Sequence, residues 1–416
     1  MIVEVLAVGT ELLLGQIVNS NAAEIGSRLA DAGLDHYRQV VVGDNHGRIV
    51  QALHAATGRA DAVIVTGGIG PTQDDMTRQA MASAAGVEVR FDDDYAARLE
   101  AYWASRGREM PASNLRQAEY PDGAERIDNP KGTAPGLRMR IGDAWVFALP
   151  GVPGEMIPML ERSVLPFLVE EAGGTAGVLV SRVVRTWGES ESRVAELLGD
   201  LYDSATNPTI AFLASAAEIK VRLTARARTA EEARALLRPV EEEVVDRLGP
   251  RVFAVGDRTI EQIVHELAAG AGWSIGAVES MTGGLVAQRL TSVPGASRTF
   301  VGSVVAYASG VKAGLVGVAE DTIADHGAVS EPTALEMAAG GRTVLGADVV
   351  VAVTGEAGPD PDERAIGTVV VAVATPDDAR ARTMRLPGDR ERVRLYGSTA
   401  ALHALRLGLT GEWWRS

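Results

Sequence analysis

The stretch AVIVTGGIGPTQDDMT (62–77) joins an unbroken run of apolar and β-branched residues to a turn rich in Gly, Pro and Asp. Such a run is typical of a strand that is buried on both faces. Similar runs and the helical patterns between them occur at VEVLAVG (3–9), SNAAEIGSRLADAG (20–33), HYRQVVVG (36–43), HGRIVQALHAATGRA (46–60) and WVFALPG (145–151). This alternation of strands and helices predicts a parallel sheet that is covered by helices on both faces.

The alternation changes in the middle of the chain and returns near its end. VLVSRVVRTWG (178–188) and AEIKVRLTARA (217–227) alternate apolar with polar residues, as strands of a sheet with one solvated face do. From about residue 258, strands again alternate with helices. We therefore predict three domains: an α/β domain at 1–170, a small α+β connecting domain at 175–252, and a second α/β domain at 258–412.

Composition limits the classes of function. The 416 residues are 46% hydrophobic, which is ample for packed cores, yet no apolar run approaches the roughly 18 residues that cross a bilayer. We expect no membrane association. The sequence shows no secretory signal pattern and contains no cysteine, which excludes disulfides and thiolate sites and fits a cytoplasmic protein. A formal net charge of −15 argues against direct binding of nucleic acid.

Gly-rich loops follow several of the predicted strands of the first segment. Parallel sheets bind ligands beyond the carboxyl ends of their strands, and such loops expose N–H groups that can hold phosphate oxygens. The loop residues of interest are Thr10, Glu11, Gly67, Gly68, Thr72, Asn129 and Gly151. The adjacent Asp74 and Asp75 offer hard oxygen ligands suited to magnesium. Each loop alone could be an ordinary turn, with Thr72 or Asp74 capping the next helix; four together favour a phosphate site.

A second group of polar residues lies in the third segment. Ser280 stands at a strand-to-helix turn after WSIGAVE (273–279), where helix N–H groups could stabilise an oxyanion. A Ser nucleophile needs a base, and Lys312, if desolvated so that its pKa falls, is the best candidate among scattered His residues. Tyr307 could relay a proton or donate to the leaving group, and the loop from Thr354 could bind substrate. Taken singly, Ser280 could instead be an N-cap, Tyr307 a half-buried strand residue and Lys312 a solvated residue.

The motifs of the first segment resemble those of the competence/damage-inducible protein A (CinA) family. They are GTELLLGQIVNSNAAEI (9–25), TGGIGPTQDDMT (66–77), NPKGTAPG (129–136) and LPGVPGEM (149–156). The resemblance implies a three-layer molybdopterin-binding-like domain that hydrolyses ADP-ribose to AMP and ribose 5-phosphate. It implies a divalent metal such as Mg²⁺, alone or with a monovalent ion, at Asp74 and Asp75, and a nucleotide pocket that also includes Asn19.

The third segment resembles the C-terminal domain of the same family from end to end. The matching motifs are ESMTGGLVAQRL (279–290), PGASRTFVGSVVAYASGVKAGLVGV (294–318), HGAVSEPTALEMA (326–338), TGEAGP (354–359) and PGDRERVR (387–394). The resemblance implies an α/β amidohydrolase that converts nicotinamide mononucleotide (NMN) to nicotinate mononucleotide and ammonia without a cofactor.

The resemblance also assigns roles to residues of this segment. The catalytic residues are Ser280, Tyr307, Lys312 and Thr354. The implied substrate-binding residues are Thr282, Gly283, Gly295, Ser297, Gly355, Ala357, Gly358, Arg390 and Arg394, of which an arginine holds the phosphate. The family's dimers, and a loop-rich active site that needs walling off, lead us to expect a homodimer.

This sequence departs from the commoner family pattern at four places. Met281 stands where Cys is usual, and Ser303 replaces a Gly. Ala-Ser-Gly-Val follows Tyr307, and the loop after Pro359 is short (360–364). Because Ser280, Tyr307 and Lys312 are retained, we expect retained chemistry. The alternatives are an N-terminal domain that binds a nucleotide or pterin without turnover, and an accessory role in competence or DNA damage.

Overall fold

The computed structural model describes residues 1–173, 177–359 and 364–413. The chain forms two compact units, one of Met1–Val180 with Ala225–Leu236 and one of Ser181–Thr224 with Leu237–Ser416. Within the described residues, no helix is both long and apolar enough to span a membrane.

The first unit is built on a six-stranded sheet and a two-stranded one. Its first eight strands are β1 (Val3–Val8), β2 (Gln39–Val42), β3 (Ala62–Thr66), β4 (Val89–Phe91), β5 (Glu119–Pro121), β6 (Glu125–Ile127), β7 (Gly136–Ile141) and β8 (Ala144–Leu149). The large sheet has the order β2-β1-β3-β8-β7-β6, and β4 pairs with β5. Strands β2, β1, β3 and β8 are parallel, so their carboxyl ends meet at one edge.

Helices cover both faces of this sheet. They are α1 (Thr10–Leu13), α2 (Ser20–Asp31), α3 (His46–Thr57), α4 (Thr77–Ala85), α5 (Asp93–Ala104), α6 (Pro153–Met159) and α7 (Leu165–Glu171). Alternate strand residues point to opposite faces. Leu6, Val63 and Val146 therefore pack with α3 and α4 in one core, whereas residues such as Val5 and Ile64 pack with α2, α6 and α7 in another. The result is a three-layer α/β/α domain.

The predicted sheet is parallel, but the observed one is mixed. Strands β6 and β7 run antiparallel to each other, and β7 runs antiparallel to β8. The cause is local, because only Gly142 and Asp143 separate β7 from β8, and a two-residue connection can join only antiparallel strands. Gly142 supplies the positive φ of 62° that this tight turn requires.

The middle of the chain has the predicted α+β composition. Its strands are β9 (Val178–Trp187), β10 (Thr209–Ser215), β11 (Glu218–Ala227) and β12 (Val252–Val255), in the order β10-β11-β9-β12. Its helices are α8 (Glu191–Leu197), α9 (Gly199–Ser204) and α10 (Ala230–Leu248). Alternate residues of β11, such as Val221 and Leu223, are fully buried, as the period-2 pattern predicts.

The last segment forms a second three-layer domain. Its strands are β13 (Ile275–Glu279), β14 (Phe300–Val305), β15 (Val349–Gly355), β16 (Thr368–Ala374) and β17 (Ala379–Arg385), in the order β14-β13-β15-β16-β17. Its helices are α11 (Ile260–Ala271), α12 (Leu285–Thr291), α13 (Ser309–Val316), α14 (Glu320–His326), α15 (Glu331–Leu345) and α16 (Arg390–Thr410). Strands β14, β13 and β15 are parallel, and β16 and β17 continue the sheet antiparallel. Helices α11, α12 and α16 pack on one face, and α13 and α15 pack on the other.

Candidate active site

Ser280 and Lys312 are in direct contact at the carboxyl edge of the C-terminal sheet. Ser280 follows β13, and its N–H donates to the carbonyl of Val353 at 2.9 Å. Lys312 Nζ lies 3.1 Å from Ser280 Oγ and donates to the Tyr307 carbonyl at 2.9 Å. The Lys312 side chain is not solvated, since the residue is only 2% exposed. Helix α12 begins after Gly284, which excludes an N-cap role for Ser280.

Glu279, which sequence reasoning missed, anchors the turn that carries Ser280. It is fully buried, and its carboxylate accepts hydrogen bonds from the Thr282 hydroxyl, the Ser303 hydroxyl and three backbone N–H groups. Those N–H groups belong to Gly284, Val286 and Ala287, at 2.9–3.0 Å. Five donors satisfy a buried carboxylate. The turn is thereby fixed to the sheet.

These contacts correct the predicted source of oxyanion stabilisation. At the start of α12 the Val286 and Ala287 N–H groups donate to Glu279, and the Leu285 N–H donates to the Thr282 carbonyl. None of them can also serve a substrate oxygen. Among the described residues, the N–H groups of Met281 and Thr282 donate no hydrogen bond. They are the free donors beside Ser280.

The two predicted arginines occupy different positions in the site. Arg394 donates from Nε to the Met281 carbonyl at 3.0 Å and from a terminal nitrogen to the Thr282 carbonyl at 2.9 Å. Arg390 donates to the Tyr307 hydroxyl at 3.0 Å and to the Gly358 carbonyl. Tyr307 is 58% exposed, so it borders the site without being packed in it. Arg394 holds the turn that carries Ser280, while Arg390 stays near solvent.

The Thr354 loop lies beside Ser280. Strands β13 and β15 run in parallel with Glu279 opposite Val353, so Ser280 and Thr354 are neighbours at the same edge. Thr354 is buried, and its hydroxyl donates to the Ala328 carbonyl at 2.9 Å. Residues Gly355, Ala357 and Gly358 continue this loop.

Gly295 and Ser297 are not brought to Ser280. Helix α12 runs back across the sheet, so these residues precede β14 at the amino edge, whereas Ser280 lies at the carboxyl edge. A strand of five or six residues spans roughly 17–20 Å, which separates the two positions. Their predicted substrate contact is therefore not made within one chain.

Two of the sequence departures have a visible packing role. Met281 is buried in the core, and its side chain fills the space beside Gly355 and Gly397, where a Cβ would approach it to 2.7 and 2.3 Å. Ser303 provides one of the donors to Glu279. The shortened loop at 360–363 lies outside the described residues.

A second cleft, of about 470 Å³, lies at the carboxyl edge of the N-terminal sheet. Of the predicted residues, Glu11, Gly67, Gly68, Asp74, Asp75 and Gly151 line it. Asp44, Asn114, Gln117 and Glu155 also line it, and sequence reasoning missed them. Gly67 must be Gly, because a Cβ there would lie 2.3 Å from the Val8 carbonyl oxygen.

The two adjacent aspartates differ in their surroundings. Asp75 accepts hydrogen bonds from the Gly70 and Thr72 N–H groups at 2.7 and 2.8 Å and from the Thr72 hydroxyl, so it shapes its own loop. Asp74 is exposed, and the neighbouring Thr72 side chain together with the Asp74 backbone N–H holds the pKa of Asp74 below its ordinary value. Helix α4 begins after Met76 without a side-chain cap, so neither Thr72 nor Asp74 caps it.

Other predicted residues support the cleft rather than line it. Thr10 exchanges hydrogen bonds with Asp44, and Asn19 caps α2 through the Ala22 N–H. Asn129 holds its own loop and donates to Glu155 at 2.6 Å. Among the described residues no three His, Asp or Glu side chains cluster as a metal site, and Asp74 is the more exposed carboxylate of the predicted pair.

Two buried polar residues behind the cleft were also missed. Asn21 donates to the Thr66 hydroxyl and to the Gly151 carbonyl, which ties α2 to two strand ends. Arg78 is fully buried and donates to the Ile69 and Gly70 carbonyls, and burial lowers its pKa to about 10. A polar residue within a helical pattern gives no sequence signal of such a role.

Comparison with known proteins gives the family. A profile described as a probable molybdopterin binding domain matches residues 4–170, a damage-inducible protein CinA KH domain matches 181–254, and a CinA C-terminal domain matches 257–409. A CinA-like protein of Frankia casuarinae is 48% identical over 417 residues, covering 98% of this chain and 96% of that protein. The chain belongs to the CinA family.

Two more relatives illustrate the family's range. A putative competence-damage inducible protein of Symbiobacterium thermophilum is 44% identical, covering 98% of each chain. The crystal structure of a CinA protein of unknown function from Thermoplasma acidophilum is 37% identical, covering 41% of this chain and 96% of that one, with a TM-score of 0.37. The family assignment confirms the predicted molybdopterin-binding-like and CinA C-terminal domains, and it identifies the middle segment as KH-like.

The KH-like segment lacks the sequence feature with which KH domains clamp RNA. That feature is a GXXG loop on the backbone of the nucleic acid. Residues 181–254 contain glycine only at 188, 199 and 249, so no such loop can form there. Family membership therefore does not itself indicate nucleic-acid binding.

Proposed function

We propose that the C-terminal domain is a serine amidohydrolase that converts NMN and water to nicotinate mononucleotide and ammonia. The observation that carries this proposal is the 3.1 Å contact between Lys312 Nζ and Ser280 Oγ, with Lys312 buried. A hydroxyl nucleophile next to a buried amine is a known arrangement for acyl transfer. The family resemblance supplies the choice of a nicotinamide amide as substrate.

The chemistry proceeds in two halves. In the first, the neutral Lys312 amine accepts the proton of Ser280 Oγ as the oxygen attacks the amide carbon. The tetrahedral intermediate collapses as Lys312 returns the proton to the departing nitrogen, which leaves as ammonia. In the second half, Lys312 takes one proton from water as its oxygen attacks the acyl carbon. Collapse frees the product acid, whose remaining proton passes to solvent to leave the nicotinate carboxylate. Ser280 recovers its proton.

The Met281 and Thr282 N–H groups are suited to stabilise the oxyanion. Arg394 binds the carbonyls of both residues and so fixes the orientation of the peptide groups beside the nucleophile. Preorganised donors of this kind contribute several kcal/mol to acyl transfer. In this arrangement Arg394 is a positioning residue, and Arg390 at the exposed rim is the better candidate for the substrate phosphate.

Ammonia release from NMN tests the proposal directly. The wild-type chain should release ammonia, Ser280→Ala should not, and Ser292→Ala should behave as wild type because Ser292 lies exposed after α12. Absence of ammonia from the wild type, or equal release by Ser280→Ala, contradicts the proposed activity.

We further propose that the N-terminal domain hydrolyses ADP-ribose to AMP and ribose 5-phosphate. The supporting observation is the 470 Å³ cleft with glycine loops at three strand ends and the carboxylates of Glu11, Asp44, Asp74 and Glu155 on its walls. Exposed N–H groups of such loops suit a pyrophosphate.

A divalent metal fits this cleft when phosphates complete its coordination. Mg²⁺ is commonly held by one or two carboxylates together with substrate phosphate oxygens. Asp74 is ionised and exposed, so it can be such a ligand, whereas Asp75 is committed to its loop. When bound, the metal would neutralise phosphate charge and lower the pKa of water. The protein residues orient the pyrophosphate and hold the three strand-end loops.

Separate substitution of the two aspartates tests this assignment. Asp74→Asn should remove metal-dependent AMP formation from ADP-ribose while the fold is retained, and exposed Asp143→Asn should change nothing. Asp75→Asn should lower stability as well as activity because Asp75 accepts three hydrogen bonds from its loop. Calorimetric binding of ADP-ribose without product would instead indicate a binding module.

A further inference from the structure

A small pocket separate from both sites lies in the second unit. Its volume is about 340 Å³, near the lower end of the roughly 300–1,000 Å³ typical of small-molecule sites. Its walls include the side chains of two tryptophans, three arginines and a glutamate: Trp187, Arg251, Arg382, Arg406, Glu412 and Trp413. They come from the end of β9, the start of β12, strand β17 and the last turns of α16.

Arg406 is the unusual residue of this pocket. It is only 8% exposed, and within the described part of the chain its guanidinium makes no hydrogen bond and no ion pair. Burial lowers its pKa, and the charge of Glu412 offsets this only in part. A buried cation without a protein partner is costly, so a bound anion would stabilise Arg406.

The other walls add positive charge and flat apolar surface. Arg251 is paired with Glu189 at 2.9 Å, whereas Arg382 is exposed and has no partner among the described residues. Trp187 is held in place by stacking on the buried His403, with ring centroids 4.5 Å apart and planes 10° apart. The guanidinium groups outnumber the carboxylates in a chain whose net charge is −15.

We propose that this pocket binds a mononucleotide-sized ligand whose phosphate pairs with Arg406 and whose planar base packs on the indole walls. Arginine matches phosphate oxygens through paired N–H donors, and indoles stack on any base. The volume admits one base, sugar and phosphate. This site does not depend on the proposed activities, since it shares no residue with either.

Fluorine NMR of the full chain labelled with 5-fluorotryptophan tests the site with AMP as probe. Trp187→Phe and Trp413→Phe assign two of the six tryptophan resonances. AMP should shift those two, with a single dissociation constant, because Trp187 and Trp413 line the pocket. Binding of AMP in the N-terminal cleft or at Ser280 would leave the Trp187 and Trp413 resonances unshifted. Adenosine provides only the base and inorganic phosphate only the anion. Each should therefore shift these resonances only at much higher concentration.

The arginine variants decide the role of the cation. Arg406→Met should weaken the response about tenfold or more, as loss of a charge-assisted contact does, while exposed Arg193→Met should not change it. If Arg406→Met fails to fold, Arg382→Met should weaken AMP binding as well. Resonances that do not move with millimolar AMP, or that move equally in the arginine variants, overturn the proposal.

Discussion

Ser280 and Lys312 are in contact because the turn that carries Ser280 and the first turn of α13, which carries Lys312, both lie at the carboxyl edge of the C-terminal sheet. Glu279 fixes the turn through five donors, and α13 starts directly after Tyr307 with Lys312 on its buried side. The Tyr307 carbonyl binds the Lys312 amine and so sets its direction. The proposed nucleophile and its proposed base are therefore held by separate supports, which is how a rigid site is built.

Removal of the Lys312 amine should abolish most of the proposed deamidase activity. Lys312→Met keeps a side chain of similar length in the buried site but cannot accept the Ser280 proton. We expect kcat for NMN to fall roughly 10²- to 10⁴-fold, the usual contribution of a positioned base. The matched control is Lys220→Met on β11, away from Ser280. A Lys312→Met enzyme with wild-type kcat would exclude Lys312 as the base.

At this scale the sequence predicts some residues of the site and misses others. Ser280, Tyr307 and Lys312 stand in motifs that family resemblance locates. The structure brings Ser280 into contact with Lys312, whereas Tyr307 contacts Lys312 through its carbonyl and its exposed hydroxyl pairs with Arg390. Glu279 and Arg406 give no such signal, because a carboxylate after a strand or an arginine in a helix is ordinarily solvated. Their burial depends on which side of a turn or helix faces the core, and this is decided by tertiary packing.

Helices α13 and α15 approach unusually closely on one face of the same sheet. A Cβ at Gly340 of α15 would lie 1.6 Å from the Val316 carbonyl oxygen at the end of α13. Only glycine allows this contact. Because α13 carries Lys312, the packing of α15 against it bears on the geometry of the site.

Gly340→Ala should therefore damage both stability and activity. We expect a loss of about 1–3 kcal/mol in the free energy of unfolding, as in other overpacked sites, and a fall in kcat from displacement of α13. Gly314→Ala is the control on α13, where a Cβ meets nothing within 4 Å. It should be neutral or stabilising by about 0.5–1 kcal/mol. Denaturant unfolding and ammonia release measure both effects; equal behaviour of the two variants would contradict the close-packing account.

Strand β11 and helix α16 share a buried ionisable pair. Glu218 Oε1 lies 3.1 Å from His403 Nε2, and both residues are buried. Burial raises the pKa of Glu218 to about 7, with Arg289 and Arg185 opposing the shift. Burial also holds the pKa of His403 well below 6.5, with help from Arg406 and Arg289.

The two groups make opposite contributions to the pH dependence of stability. Unfolded Glu218 loses its proton near pH 4.5 and folded Glu218 only near 7, so its contribution falls as pH rises through this window, by at most about 3 kcal/mol. The contribution of His403 to the free energy of unfolding falls as pH drops below 6.5. The Glu218→Gln variant removes only the pH dependence that Glu218 contributes. Its melting temperature relative to wild type should therefore rise from pH 4.5 to 8; a constant difference would show that Glu218 does not titrate in this range.

The elements show where local pattern is sufficient. Buried strands and the amphipathic helices α2, α3 and α11 follow from period and caps, and the structure confirms them. The antiparallel strands β6 and β7 do not follow from the sequence pattern, because a short strand beside a two-residue turn has the same composition as a loop. The placement of Gly295 and Ser297 at the amino edge likewise depends on the return path of α12, which a motif does not encode.

At the scale of the whole molecule, the edge strand β14 and helix α13 expose an apolar surface. Val301, Val305 and Leu315 are 51%, 46% and 50% exposed, and Tyr307 and Val311 adjoin them in the chain. An edge strand offers unpaired backbone groups as well as side chains, and exposed apolar patches mark interaction sites. We propose that a second copy of the chain covers this surface; the family resemblance implies a dimer but not which surface forms it.

Charge placed on this surface should therefore separate the copies. Val301→Glu together with Leu315→Glu introduces carboxylates that a dimer interface would have to bury unpaired, at a cost of several kcal/mol. Light scattering during size-exclusion chromatography should give twice the 43.7 kDa chain mass for wild type and a single mass for the double variant. Leu236→Glu, on α10 and also exposed, is the control and should stay dimeric. A monomeric wild type, or a double variant of unchanged mass, would show that this surface has another role.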